Sequence, residues 1–139
     1  MRGSRTAAVV ALAGALLLSG CATGGGASPT PSADACAAVQ SATRDIANGA
    51  QNTLAAAGTP SEIEAKLKGY SERILALAES ADNAAVADAL TAVDEKIAEA
   101  SAFVAGLPTN EAGEIDAAAI VDQQTAIQDA ASAVKAACG

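Results

Sequence analysis

Apolar residues recur at alternating intervals of four and three positions along four stretches of the chain. The clearest stripes are Ile63, Leu67, Tyr70, Ile74, Leu77 and Ala81 in one stretch and Val86, Leu90, Val93, Ile97, Ala100 and Val104 in the next. Two poorer stripes flank them: Cys36, Val39, Thr43, Ile46, Ala50 and Leu54, and Ile120, Gln124, Ile127, Ala131, Val134 and Cys138. This spacing keeps one face of each helix apolar, so the pattern predicts an all-α protein.

Turn and capping residues divide the same region into four helices. The first is expected from about Asp34 to Ala57, before Gly58, and the second begins at Thr59-Pro60-Ser61-Glu62, which has the form of a capping box. The third starts at Asp82 or Asn83 and ends at Ala105, before Gly106 and Pro108. The fourth is expected to start between Asn110 and Asp116 and to continue to the end of the sequence.

Helices two and three could instead form one long helix over 60–105, because no Gly or Pro separates them. Continuing the stripe beyond Ala81 would place Ala84, Asp88, Thr91 and Glu95 on the apolar face. The apolar residues resume at Val86 instead, so a straight helix would point its two halves at different faces. A helical hairpin resolves this conflict, and the sequence predicts an up-and-down four-helix bundle.

The core of this bundle is expected to be thin. Hydrophobic residues make up 51% of the chain, but 40 residues are Ala, and only 21 residues from Cys21 onward are larger aliphatic or aromatic residues. Alanine favours helices but buries little apolar area. A small domain of this kind often needs a covalent link or a partner for stability.

The N-terminus has the form of an export signal. Arg2 and Arg5 precede an uncharged apolar run, Thr6 to Leu18, which is too short to span a bilayer. The next residues, Leu18-Ser19-Gly20-Cys21, resemble the lipobox of bacterial lipoproteins. The resemblance implies a signal peptide over residues 1–20 and a diacylglyceryl anchor on Cys21. The alternatives are an ordinary secretory peptide cut near Ala22 and an uncleaved anchor.

A tether is predicted between this anchor and the bundle. Residues 22–33 consist of Gly, Ser, Thr, Pro and Ala without periodicity, so they cannot bury enough surface to order themselves. The chain is therefore divided into a signal peptide (1–20), a lipidated Cys21 with its tether (21–33) and a helical domain (34–139). The lipid would hold that domain on the extracytoplasmic face of the cell membrane.

Two cysteines remain when Cys21 carries lipid. Cys36 lies at the start of the first helix and Cys138 at the end of the fourth, and an up-and-down bundle brings those ends together. Disulfides persist in exported proteins, so we predict a disulfide between them. Two free thiols are the alternative, and a long central helix flanked by two short ones would allow the same bridge.

The chain offers few residues for catalysis or metal binding. It has no His, and a net charge of −8 argues against nucleic acid as a partner. The acidic residues Asp94, Glu95, Glu99, Glu111, Glu114 and Asp116 lack a calcium-loop pattern and are interpreted as a solvated surface. No cofactor, metal or catalytic residue is predicted.

Five further side chains were candidates for a ligand role or an exposed patch. Tyr70 is interpreted as core filler with its hydroxyl at the rim, and Thr43 and Gln124 as polar residues that fix register or pair across the bundle. Phe103 and Leu107, near the end of helix three, are expected to pack under the loop that follows it, and an exposed apolar patch is the alternative.

Two classes of function follow from these features. The first is a non-catalytic envelope lipoprotein that binds another envelope protein. The second is a carrier that holds a lipid or other small apolar molecule between its helices. An enzyme that uses carboxylates alone, such as a glycosidase, is a weaker third, since the aromatic sugar platform is missing. A seam-lined cavity of several hundred Å³ would favour the carrier, and close helix contact at Ala would favour the interaction module.

Overall fold

The structure, a computed structural model, describes residues 30–139. Within them lie four α-helices: α1 (Ala33–Ala55), α2 (Pro60–Glu79), α3 (Ala84–Ala105) and α4 (Val121–Ala137), the last preceded by a short 3-10 turn over Ala117–Ile120. Each helix packs against its neighbours in the order α1, α2, α3, α4, and α4 returns to α1. The predicted all-α four-helix bundle is confirmed.

Polar side chains define where the first three helices begin. Ser32 accepts from the backbone N–H of Ala35 (3.2 Å), and Asn83 accepts from that of Val86 (3.1 Å). At α2, the hydroxyl of Thr59 accepts from the N–H of Glu62, while the Glu62 carboxylate accepts from the N–H of Thr59 (3.1 Å). The predicted capping box is therefore present. The Glu62 carboxylate also accepts from the Thr59 hydroxyl (2.9 Å). The hydrogen bonds that this carboxylate accepts from the backbone and the side chain of Thr59, with a smaller contribution from Lys66, lower the pKa of Glu62 below its ordinary value of 4.5.

The turn between α2 and α3 occurs where the apolar stripe changes phase. All six stripe residues of α3 are buried, and α2 buries Ile63, Leu67 and Ile74 completely while Tyr70, Leu77 and Ala81 pack at the core edge. These two helices share the most extensive contact of any helix pair between residues 30 and 139. The hairpin interpretation is confirmed.

The segment between α3 and α4 differs from the expectation. The fourth helix was expected to start between Asn110 and Asp116, but that segment is a turn. The Asn110 side chain accepts from the N–H groups of Ala112 (2.9 Å) and Glu114 (3.0 Å), and Gly113 takes a φ of +80°. Asn110 therefore satisfies these N–H groups without a helix. The 3-10 turn begins only after Asp116, which caps Ala118.

Phe103 also departs from the expectation. Leu107 packs against the core, but Phe103 is 40% exposed. Ala100 and Val104 occupy the buried stripe, and Phe103 lies about 100° from Val104 around the helix, outside the stripe. The loop instead buries its own residue Ile115, whose N–H donates to the carbonyl of Gly58 (3.3 Å).

Candidate functional site

One end of the bundle collects the start of α1, the turn between α2 and α3, and the end of α4. Cys36 and Cys138 lie there with their Cα atoms 5.7 Å apart, although 102 positions separate them in sequence. That Cα separation is typical of disulfides, and the two sulfur atoms are at bonding contact. Both residues are buried. The structure therefore accommodates the predicted pairing.

A cleft of about 290 Å³ lies beside this cysteine pair. Val39, Ala81 and Val86 supply apolar surface, and the rest of the lining comes from Thr30 to Ser32, Ala35, Cys36, Ser80, Asp82, Asn83 and Cys138. Five residues of the predicted seams therefore line this cleft. We call it the tether-end cleft, because the chain enters α1 beside it.

Cys21, the predicted lipid-attachment residue, and the signal peptide lie outside the described residues, and so does most of the tether. The described part begins at Thr30, and α1 begins at Ala33, one position before the predicted domain boundary. From residue 30 onward, no helix combines the length and the hydropathy that crossing a bilayer requires.

The helices approach one another closely in the interior. Ala47, Ala50 and Ala100 are at most 1% exposed, and they belong to the same core cluster as the larger seam residues. Two larger depressions, of about 640 and 580 Å³, are open surface grooves, one along α2 and α3 and one beside the loop before α4. Close contact at Ala is the feature expected of the interaction module.

Tyr70 shows another close approach, between α1 and α2. The ring is half-buried and packs against the core, and the guanidinium of Arg73 lies 5.7 Å from its centroid. A Cβ on Gly49 would lie 2.5 Å from the ring, so glycine at that position makes room for it. Tyr70 is therefore the core filler that the sequence predicted.

Amide side chains join α1 to α4. Gln124 donates from Nε2 to the carbonyl of Gln51 (3.0 Å), and Gln51 donates from its own Nε2 to Oε1 of Gln128 (3.0 Å). The interpretation of Gln124 as a residue that pairs across the bundle is confirmed. Thr43 is different, because its buried hydroxyl has no hydrogen-bond partner. The pair Gln51 and Gln128 was missed, since amides on exposed helix positions carry no sequence signal.

The acidic residues are mainly exposed, as expected. Glu99 pairs with Lys96 (2.7 Å), Asp94 accepts from the hydroxyl of Ser71, and Glu114 accepts from the amide of Asn110 (3.5 Å). Across residues 30–139, no three His, Cys, Asp or Glu side chains come together as a metal site would require.

Comparison with protein-family models, with curated proteins and with solved structures found no match to this chain.

Proposed function

We propose that this protein is a lipid-anchored lipoprotein of the cell envelope, held by Cys21 on the extracytoplasmic face of the membrane. Its bundle is a non-catalytic module that binds another envelope protein. The observation that carries the proposal is the Leu18-Ser19-Gly20-Cys21 motif, directly behind a basic segment and an apolar run. The position of Cys36 beside Cys138 supports export, because disulfides persist outside the cytoplasm.

The anchor is tested by labelling cells with a fatty acid that carries an alkyne group. We expect the wild-type chain to take up the label and to lose residues 1–20. Cys21→Ala should remain unlabelled and unprocessed. Cys36→Ser is the matched control and should keep the label, because it removes a different cysteine. Label on Cys21→Ala would refute the anchor.

A carrier of a small apolar molecule is the second candidate. The tether-end cleft favours it, since Val39, Ala81 and Val86 line about 290 Å³ of space at the end where the chain enters α1. The interior favours the interaction module, because Ala47, Ala50 and Ala100 are closely packed rather than spaced around a cavity.

Photocrosslinking in the native envelope separates these two functions. A photoreactive residue at Phe103, which is exposed at the end opposite the cysteine pair, tests for a partner protein. The same residue at Val39 tests the tether-end cleft. The interaction module predicts one discrete protein adduct at Phe103 that disappears in Cys21→Ala. The carrier predicts an adduct of lipid mass at Val39 and no protein adduct at Phe103.

A further inference from the structure

A second cleft lies between α1 and α4, on the side of the bundle. Its volume is about 130 Å³, and it is lined by Gln40, Arg44, Ala47, Asn48, Gln128, Ala131, Ser132 and Lys135. None of these residues is acidic, although all 16 Asp and Glu residues of the chain lie in the described part. We call this the α1–α4 cleft.

Arg44 and Lys135 differ from the other basic residues between positions 30 and 139. Lys96 pairs with Glu99 (2.7 Å), and Arg73 lies over the ring of Tyr70. The remaining two, Lys66 and Lys68, are each four positions from a glutamate on α2.

Arg44 and Lys135 have no such neighbour. Their positions three and four residues away hold no Asp or Glu, and neither forms an ion pair within residues 30–139. Of the basic residues in the described part, Arg44 and Lys135 are thus the two that have neither an ion pair, a ring contact nor a glutamate four positions away, and they line the same cleft although 91 positions separate them in sequence.

The remaining lining supplies neutral polar groups. Gln40, Asn48 and Gln128 carry amide donors. The carbonyl oxygen of Gln128 already accepts from Gln51, so its NH₂ group is the part left to donate to a ligand. That hydrogen bond, together with the one from Gln124 to the Gln51 carbonyl, fixes the relative position of α1 and α4 beside the cleft.

We propose that the α1–α4 cleft binds a phosphate group. A guanidinium and an ammonium compensate the charge of an oxyanion, and amide N–H groups complete its hydrogen bonds. The cleft, of about 130 Å³, is less than half the volume of the tether-end cleft and suits a small polar group rather than a large apolar ligand. Asp45 and Asp129 follow Arg44 and Gln128 in sequence but do not line the cleft, and exposed charges are screened at physiological salt over about 8 Å. The site does not depend on the lipid at Cys21.

The test is an NMR titration of the full chain, labelled with ¹⁵N and purified in a non-ionic detergent. Sodium phosphate is added at constant ionic strength, balanced with sodium chloride. We expect amide shifts confined to residues 40–48 and 128–135. Arg44→Gln and Lys135→Gln should each weaken binding at least about fivefold, because each removes one charge-assisted contact. Both side chains are exposed, so both variants should fold.

Lys66→Gln is the matched control, since it removes the same charge from an exposed position on α2. It should change the affinity less than about twofold, which is within the effect of remote, screened charges. Three results would overturn the proposal: no shifts up to about 50 mM phosphate, which corresponds to binding weaker than about 2 kcal/mol; equal weakening by Lys66→Gln; or unchanged binding in both cleft variants.

The source of the phosphate is distinguished by a second probe, glycerophosphoglycerol, the headgroup of an anionic phospholipid without its acyl chains. Tighter binding of this diester than of inorganic phosphate identifies a lipid headgroup as the ligand. Tighter binding of inorganic phosphate identifies the free anion. Failure of both probes to shift the cleft residues contradicts the proposal.

Discussion

The α2–α3 hairpin and the α1–α4 pair are held together by different kinds of interaction. The hairpin has a four-residue turn, a complete apolar stripe on α3 and the largest contact between described helices. The α1–α4 pair joins the two ends of the domain, and polar residues Thr43 and Gln124 interrupt its stripes. Cys36 beside Cys138 and the amides of Gln51, Gln124 and Gln128 connect these two helices. Where large apolar side chains are scarce, polar contacts and the predicted disulfide supplement the packing.

Loss of the predicted Cys36–Cys138 disulfide should cause the largest loss of stability. Closing a loop of about a hundred residues stabilises a domain by up to about 4.7 kcal/mol in the chain-entropy model. The double variant Cys36→Ser, Cys138→Ser should therefore melt well below the oxidised protein, and amide exchange should speed up most in α1 and α4. Equal melting temperatures with and without reductant, with two titratable thiols, would contradict the predicted disulfide.

A cavity in the α2–α3 hairpin should cause the next largest loss of stability. Leu90 is fully buried in α3, so Leu90→Ala should lower the free energy of unfolding by about 3 kcal/mol. Leu75→Ala is the matched control on α2, where the side chain is 39% exposed, and should cost less than about 1 kcal/mol. Urea unfolding of both variants measures the difference. Similar losses at the two positions would show that α3 does not carry the core of the hairpin.

Removing the unpaired hydroxyl of α1 should stabilise the protein. Thr43 is 2% exposed and its hydroxyl has no partner, so Thr43→Val should gain about 1 kcal/mol. Thr125→Val on α4 is the control: its exposed hydroxyl donates to the Val121 carbonyl (3.1 Å), and the change should stay within about 0.5 kcal/mol. A loss of stability in Thr43→Val would mean that the hydroxyl is paired in solution.

Two glycines test the contact between α1 and α2. No atom lies within 4 Å of a Cβ placed on Gly69, so Gly69→Ala should stabilise α2 by about 0.5–1 kcal/mol. Gly49→Ala must displace the ring of Tyr70 and should instead cost about 1 kcal/mol. Thermal unfolding compares the two variants. Equal gains in stability at both positions would show that the packing of the Tyr70 ring does not require glycine at position 49.

The smallest expected effect concerns pH at the start of α2. The folded state lowers the pKa of Glu62, so its capping contribution is complete above pH 4.5 and is lost as the pH falls through the lower, folded-state pKa. Urea unfolding should therefore show a larger difference in the free energy of unfolding between Glu62→Gln and the wild type at pH 7 than at pH 3. The same difference in free energy at both pH values would argue against the ionised capping box.

The sequence predicted the features that local patterns encode. The apolar stripe changes phase between Ala81 and the first residue of the α3 stripe, and this change predicted the α2–α3 hairpin. The capping box of Thr59 and Glu62 predicted the start of α2. Tertiary contacts were harder to predict. The Asn110 turn competes with a helix through its own side chain, and Ile115 is buried in a core cluster formed by residues from distant parts of the chain.

The α1–α4 cleft was missed for the same reason. The absence of acidic residues three and four positions from Arg44 and Lys135 is visible in the sequence, but it acquires meaning only when α1 and α4 lie side by side. Exposed cations on separate helices are usually solvated and contribute little, so neither residue stands out without the fold. Periodicity gives the order and direction of the helices, but it does not encode which exposed side chains of separate helices lie together.

Non-reducing peptide mapping of the protein from its native membrane reports on all three cysteines at once. We expect a mature chain that starts at Cys21 with a diacylglyceryl mass on that residue, and a peptide containing Cys36 linked to one containing Cys138. An unmodified Cys21, or a sulfur bond from Cys21 to either of the other cysteines, would contradict both the proposed anchor and the proposed link across the bundle.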